Sequence, residues 1–139
     1  MQASFSLVEH PSDLGIEARG ATPAEAFEQA ACGLIAVILD PATVVKNEKR
    51  SIEVEAADMG QLLVRWLSEL LYLYDAKHFI AGSIRIEQLG DRSLRASVWG
   101  EQYRPPRAGT RCDVKAVTYH QLSLRSDTDG TVLRVFLDI

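Results

Sequence analysis

Cysteine is nearly absent: Cys32 and Cys112 are the only two in 139 residues. That excludes a disulfide-framed secreted scaffold and a zinc site built from cysteines alone. Long hydrophobic runs are missing too. The longest strongly apolar stretch, Leu62 to Leu73, carries Arg65 and Glu69 and is too short to span a bilayer. There is no excess of positive charge, since 15 Lys and Arg stand against 19 Asp and Glu, a net charge of −4. Coating a phosphate backbone would therefore need a local patch or a partner. The opening Met-Gln-Ala-Ser-Phe lacks the basic segment and apolar stretch of a secretory signal. No phosphate-cradling P-loop, dinucleotide Gly fingerprint or G-x-S-x-G elbow occurs. The expectation is a soluble cytoplasmic protein with reduced thiols and no membrane contact.

What is present suffices for one domain covering residues 1–139. The hydrophobic fraction is 47% and the charged fraction 24%, enough to bury a core. Phe5, Leu7 and Glu9 alternate with Ser6, Val8 and His10, and Leu14, Ile16 and Ala18 alternate with Gly15, Glu17 and Arg19. These are two short strands joined by the turn chemistry of His10-Pro11-Ser12-Asp13. Thr22, Pro23 and Glu25 form a capping box that starts a helix with a stripe of Phe27, Ala30, Ala31, Leu34 and Ile38. Asp40-Pro41 ends it. Asn47 to Arg50 is polar and reads as a loop, followed by a strand with Ile52, Val54 and Ala56 on one face. Asp58 caps a second helix from Met59 to about Asp75, with Leu63, Trp66, Leu67, Leu70 and Tyr74 as its core stripe. Four strands follow: one around Ile80, Ile84 and Ile86, one around Leu94, Ala96 and Val98, a long one from Val114 to Leu124, and a last one around Leu133, Val135 and Leu137. A loop from Gln102 to about Asp113 and a turn at Ser126 to Gly130 interrupt them. This order implies an α+β fold, a mainly antiparallel sheet packed with two helices.

Few positions suggest chemistry. Asp13 follows the first strand, Asp138 is penultimate, and Ile139 carries the main-chain α-carboxylate. If the last strand ends beside the first loop, these oxygens converge, a set suited to Ca²⁺, Mg²⁺ or Mn²⁺. His10 could join as a ligand or orient one. Spacing alone places an Asx-turn at Asp13 and a solvated terminus at Asp138 ahead of that reading. Strand parity puts His120 in an apolar row with Val114, Ala116, Thr118, Leu122 and Leu124, which reads as a hydrogen-bonded core histidine. Lys115 points the other way, either as an ordinary exposed lysine or toward a phosphate, carboxylate or partner. Arg104, Arg107, Arg111 and Lys115 make a basic segment that could touch RNA or a protein. Glu101 is a lone carboxylate without an assignable partner. Cys32, mid-helix, reads as a packed thiol, and nothing makes Cys112 catalytic. Two functional alternatives follow from these residues. One is a stand-alone metal-dependent phosphoester hydrolase using the carboxylates with His10 as base. The other is a passive RNA-binding or chaperone-like module using the loop arginines.

Several segments, in order, resemble the archease family along essentially the whole chain. They are Glu9-His10-Pro11-Ser12-Asp13-Leu14-Gly15-Ile16, Ala24-Glu25-Ala26-Phe27-Glu28-Gln29-Ala30-Ala31, Leu62-Leu63-Val64-Arg65-Trp66-Leu67-Ser68-Glu69-Leu70-Leu71, Gly100-Glu101, Val114-Lys115-Ala116-Val117-Thr118-Tyr119-His120 and Asp138-Ile139. The resemblance implies a small α+β protein that is not itself an enzyme but a cofactor of an RtcB-type RNA ligase. That ligase joins RNA ends in tRNA splicing and RNA repair and is guanylylated from GTP with the help of a divalent metal. An archease promotes that step and supports multiple turnover, meeting tRNA or broken RNA through the ligase. The resemblance further implies a metal site at Asp13, Asp138 and Ile139, holding calcium or another divalent cation. It makes Lys115 a candidate contact to ligase or nucleotide phosphate. One stretch departs from the family pattern. Where members often carry an acidic residue and a basic-histidine pair after Gly-Glu, residues Gln102 to Ala108 offer Arg104 and Arg107-Ala108.

Overall fold

A computed structural model describes residues 1–9 and 13–139. The elements run β1 (Ser4–Glu9), β2 (Asp13–Gly20), α1 (Pro23–Ile38), a 3₁₀ turn at Pro41–Thr43, β3 (Glu48–Glu55), α2 (Met59–Asp75), β4 (Phe79–Leu89), β5 (Ser93–Gln102), β6 (Ala116–Asp127) and β7 (Gly130–Asp138). The strands divide between two antiparallel sheets, β1-β2-β7-β6 and β3-β5-β4. Each helix touches strands of both sheets, so the helices lie between them and one core serves all three layers. The α+β architecture read from the sequence is therefore present, with the strands shared by two sheets.

Local chemistry sets the helix ends. The Glu25 backbone N–H donates to Thr22 Oγ1 at 3.2 Å and the Thr22 N–H donates to Glu25 Oε2 at 3.1 Å, a closed capping box. Asp58 accepts from the Gln61 N–H at 2.8 Å and starts α2 where the sequence places it. The expected stripe of α1 is buried, and so are Ala26, Gly33, Ile35 and Val37 on its other faces. A helix between two sheets has no wet side to spare. Trp66 of α2 is fully buried, and its indole N–H donates to the Phe27 carbonyl of α1 at 3.0 Å. The single polar atom of a large core side chain is thus satisfied.

Two segments differ from the sequence pattern. Glu48, Lys49 and Arg50 are not loop but the start of β3, paired with Gly100, Trp99 and Val98. Their charges sit on rings: Arg50 lies over Phe79 at 4.4 Å and Lys49 over Trp99 at 5.9 Å. Cation–π contact lets a polar run hold strand geometry. In β6, the register against β7 slips between Thr118 and Ser123, and residue 121 adopts φ 50°. This bulge ends the simple alternation, and His120 is exposed, not buried in the core. The strand begins at Ala116 and runs on to Asp127, so the following turn is tighter than the composition suggested.

The loop after β5 is pinned from within. The Tyr103 N–H donates to the His78 carbonyl at 2.8 Å, and its hydroxyl donates to the Tyr74 carbonyl. Burial, with Tyr74 and Asp75 nearby, pushes the Tyr103 hydroxyl from its usual 10.0 to about 12. Because the folded value is raised, this contribution to stability is intact below pH 10 and declines as pH climbs from 10 toward 12. An ultraviolet titration of the four tyrosines should show one ionising late. Tyr103→Phe should remove that late step and leave the other three in place.

Candidate functional site

Asp13 is the first residue of β2, and its Cα partner across β7 is Asp138. In the same pairing, Leu14, Ile16 and Ala18 lie with Leu137, Val135 and Leu133 against the helices. Asp13 and Asp138 therefore share the opposite, outer face. Directly opposed residues in such a pair bring their Cβ atoms to about 5 Å. Two carboxylates at that spacing repel each other, and a cation between them would offset the repulsion. Asp138 is exposed, Asp13 is half-buried, and its Oδ1 is sealed from solvent. Hard oxygens converging from the two ends of the chain fit a divalent cation of the Ca²⁺, Mg²⁺ or Mn²⁺ type. Ile139 follows Asp138 and is exposed at the same edge. His10 lies outside the described residues. Among the described residues, no three His, Cys, Asp or Glu side chains gather into a metal-holding group, so a cation here would rely on two side-chain carboxylates plus main-chain oxygens.

Lys115 is anchored to this edge by its backbone: its N–H donates to the Asp138 carbonyl at 2.8 Å, while the side chain is exposed. Beside Asp138 in the sheet lies Ala116 of β6. The strand register thus sets Asp13 beside Asp138 and ties the Lys115 backbone to the same edge; the sequence puts Asp13 in the loop, whereas it begins the strand.

One row further along the outer face sits a feature the alternation conceals. Phe136 is fully buried yet belongs to the outward-facing parity of β7, opposite Gly15 and Thr118. A Cβ on Gly15 would come within 2.9 Å of the Phe136 ring, so the glycine leaves the ring its seat. His120 packs edge-on against the same ring, with centroids 6.0 Å apart, and its N–H donates to Thr118 Oγ1 at 3.2 Å. The β6 bulge thereby delivers an exposed imidazole to the face that carries the carboxylates. The sequence signals for this were Gly15 in a strand interior and an outward phenylalanine, each readable only with the strand register known. The next row holds Glu17 and Arg134, 3.0 Å apart. The hydrogen bond from Arg134 holds the Glu17 carboxyl below its ordinary range despite partial burial.

The loop arginines do not form a free basic patch. Arg107 and Glu101 are both largely buried, paired at 3.0 Å through Nη2 and 3.1 Å through Nε. Glu101 also accepts from the Val45 N–H at 3.0 Å, and Arg107 donates to the Thr43 carbonyl at 3.2 Å. Glu101 is a structural clasp, not a lone acid. Arg111 lies 3.8 Å from Asp40.

The Archease protein family (MTH1598/TM1083) matches residues 5–139. This chain belongs to the archease family. The archease of Methanosarcina acetivorans is 37% identical over 139 residues, spanning 97% of this chain and 95% of its own. That of Pyrococcus furiosus is 38% identical over 125 residues, 88% of each chain. The solution structure of Methanobacterium thermoautotrophicum protein 1598 superposes with a TM-score of 0.80 at 29% identity, covering 98% of this chain and 99% of that one. An archease from Thermotoga maritima, described as a possible chaperone, shares the fold with a TM-score of 0.59 at 19% identity over 95% of this chain and 94% of its own. The archease resemblance carried by the sequence segments is thus shown. Among the described residues, no helix is long and apolar enough to cross a membrane.

Proposed function

We propose that this archease-family chain is a non-catalytic activator of an RtcB-type RNA ligase, acting through a divalent-cation site at Asp13, Asp138 and Ile139. The observation that carries the reading is the in-register pairing of Asp13 with Asp138 on the outer face of the β2–β7 pair. Such a pair invites a cation, and the outer face leaves it open to a partner. When bound, the cation supplies positive charge that phosphate oxygens can share. Asp13 and Asp138 hold and orient it, and Ile139 contributes main-chain oxygens. Lys115, tied by its backbone to Asp138, presents its ammonium beside the site for a ligase carboxylate or a nucleotide phosphate. The activated step is guanylylation of the ligase from GTP, with multiple turnover as the consequence. tRNA or broken RNA is then reached through the ligase, in a cytoplasmic setting.

The test is a guanylylation assay with purified ligase, GTP and limiting activator. Asp13→Ala and Asp138→Ala should each cut stimulation by roughly tenfold or more, in line with loss of a ligating or orienting group. Lys115→Ala should weaken stimulation while leaving cation binding intact. If both aspartate variants stimulate as well as the parent, the metal-site mechanism is wrong.

A further inference from the structure

Between the pairs Thr118–Phe136 and Ser123–Arg134, residues 119–122 of β6 stand opposite Val135 alone. A bulge turns side chains out of the strand alternation and can re-aim one toward a functional site. This one exposes Tyr119, His120 and Gln121 in succession and holds Gln121 at φ 50°. A non-glycine residue in that left-handed region is strained, and such strain persists only where the surroundings fix it. Here they fix His120. Its N–H donates to Thr118 Oγ1 at 3.2 Å, and that hydroxyl donates to the Phe136 carbonyl at 2.9 Å. Its ring stands edge-on to the Phe136 ring, which is seated against Gly15. Phe136 and Asp138 share the outer face of β7, so the imidazole stands one row, about 7 Å along the strands, from the paired carboxylates. His120 lies beside the cation site without belonging to it: among the described residues, no third His, Cys, Asp or Glu side chain joins the two aspartates.

We infer that His120 is a nucleotide contact: its imidazole N–H donates to a non-bridging oxygen of the triphosphate of GTP bound by the ligase. This role rests on the activator reading proposed for Asp13 and Asp138 and adds the nucleotide to it. A cation, the Lys115 ammonium and an imidazole N–H would then line one edge of the molecule. A single carboxylate has two oxygens to offer such a row, whereas a triphosphate has enough for all three groups. Guanylylation breaks the bond from the α-phosphorus to its bridging oxygen, forms one from that phosphorus to the ligase nucleophile and releases pyrophosphate. His120 neither gains nor loses a proton in that exchange. It orients an oxygen on which negative charge develops. An imidazole already held by ring packing and by the Thr118 hydroxyl gives up little freedom in making that bond.

The test is RNA-free guanylylation of purified ligase, with the whole chain limiting and GTP varied. His120→Ala should raise the half-saturating GTP concentration about tenfold or more, the scale of one hydrogen bond to a charged group, with an unchanged circular dichroism spectrum. His120→Phe keeps a ring against Phe136 and should show the same defect, which a merely structural role would not. His120→Gln keeps a donor and should recover part of the loss. All three variants should retain the full rise in Tm that calcium, magnesium or manganese gives the parent. A half-saturating GTP concentration equal to the parent's in His120→Phe overturns the inference. Loss of the Tm rise in His120→Ala also overturns it, by making the imidazole a ligand of the cation. So does a defect confined to RNA sealing by ligase already guanylylated, because the phosphate contacted is then the RNA's. If the parent does not stimulate, or both aspartate variants stimulate fully, the activator reading falls and the role of His120 with it. Aspartate-dependent stimulation with a silent His120 removes the imidazole contact alone.

Discussion

Gly100→Ala should lower stability by about 3 kcal/mol or more, a drop of roughly 10 °C in Tm by circular dichroism. A Cβ at this position would lie 1.8 Å from the Ile80 carbonyl oxygen and 2.8 Å from the Ala81 Cα of the neighbouring strand. Both obstacles are backbone, so no side chain can swing aside. The crowding arises where β4 bulges between Ala81 and Ser83 and leans over β5. The next residue, Glu101, clasps Arg107 and the Val45 N–H, so displacing the strand also unseats the loop from Gln102 onward. A second readout follows: limited proteolysis in that loop should accelerate with the loss of stability. A Tm within two degrees of the parent, with an unchanged cleavage rate, would show that β4 can yield at Ile80 and that the close approach is not a constraint.

That glycine and its glutamate illustrate which parts of the molecule were legible in the sequence. The helix starts were written locally: Thr22, Pro23 and Glu25 lie within one turn, and Asp58 needs only Gln61. Period and capping chemistry act over a few residues, so a linear reading recovers them. Glu101 found no partner in the sequence because Arg107 meets it only after the loop doubles back, and Val45 lies 56 positions away. The charge of residues 48–50 suggests solvent and a late start to β3, whereas Lys49 and Arg50 cover Trp99 and Phe79. Strand parity puts His120 in the core, but parity does not survive the bulge between Thr118 and Ser123. The candidate site had the same character. Asp13 and Asp138 are 125 positions apart, and spacing alone favoured a turn and a solvated end. Their proximity is a matter of register between β2 and β7, and a slip of one residue would send one carboxylate to the helical side.

Register also sets the expected energetics of that pair. With calcium, magnesium or manganese at 100 times its Kd, the parent protein should gain about 2.7 kcal/mol of stability, a Tm rise of roughly 10 °C. Asp138→Asn should remove nearly all of this gain, because one carboxylate and main-chain oxygens hold a hard cation poorly. Without added cation, the same variant should be as stable as the parent or slightly more so. Asp138 is exposed, so its neutral isostere gives up little packing, and removing one of two opposed like charges relieves repulsion worth a few tenths of a kcal/mol, about the scale of a cross-strand pair. The two halves of this prediction pull in opposite directions, which separates a cation site from a structural role for the aspartate. A structural carboxylate would cost stability with or without the ion. A parent protein whose Tm ignores all three cations, or an Asp138→Asn protein that keeps the full rise, would leave the paired carboxylates without a metal to hold.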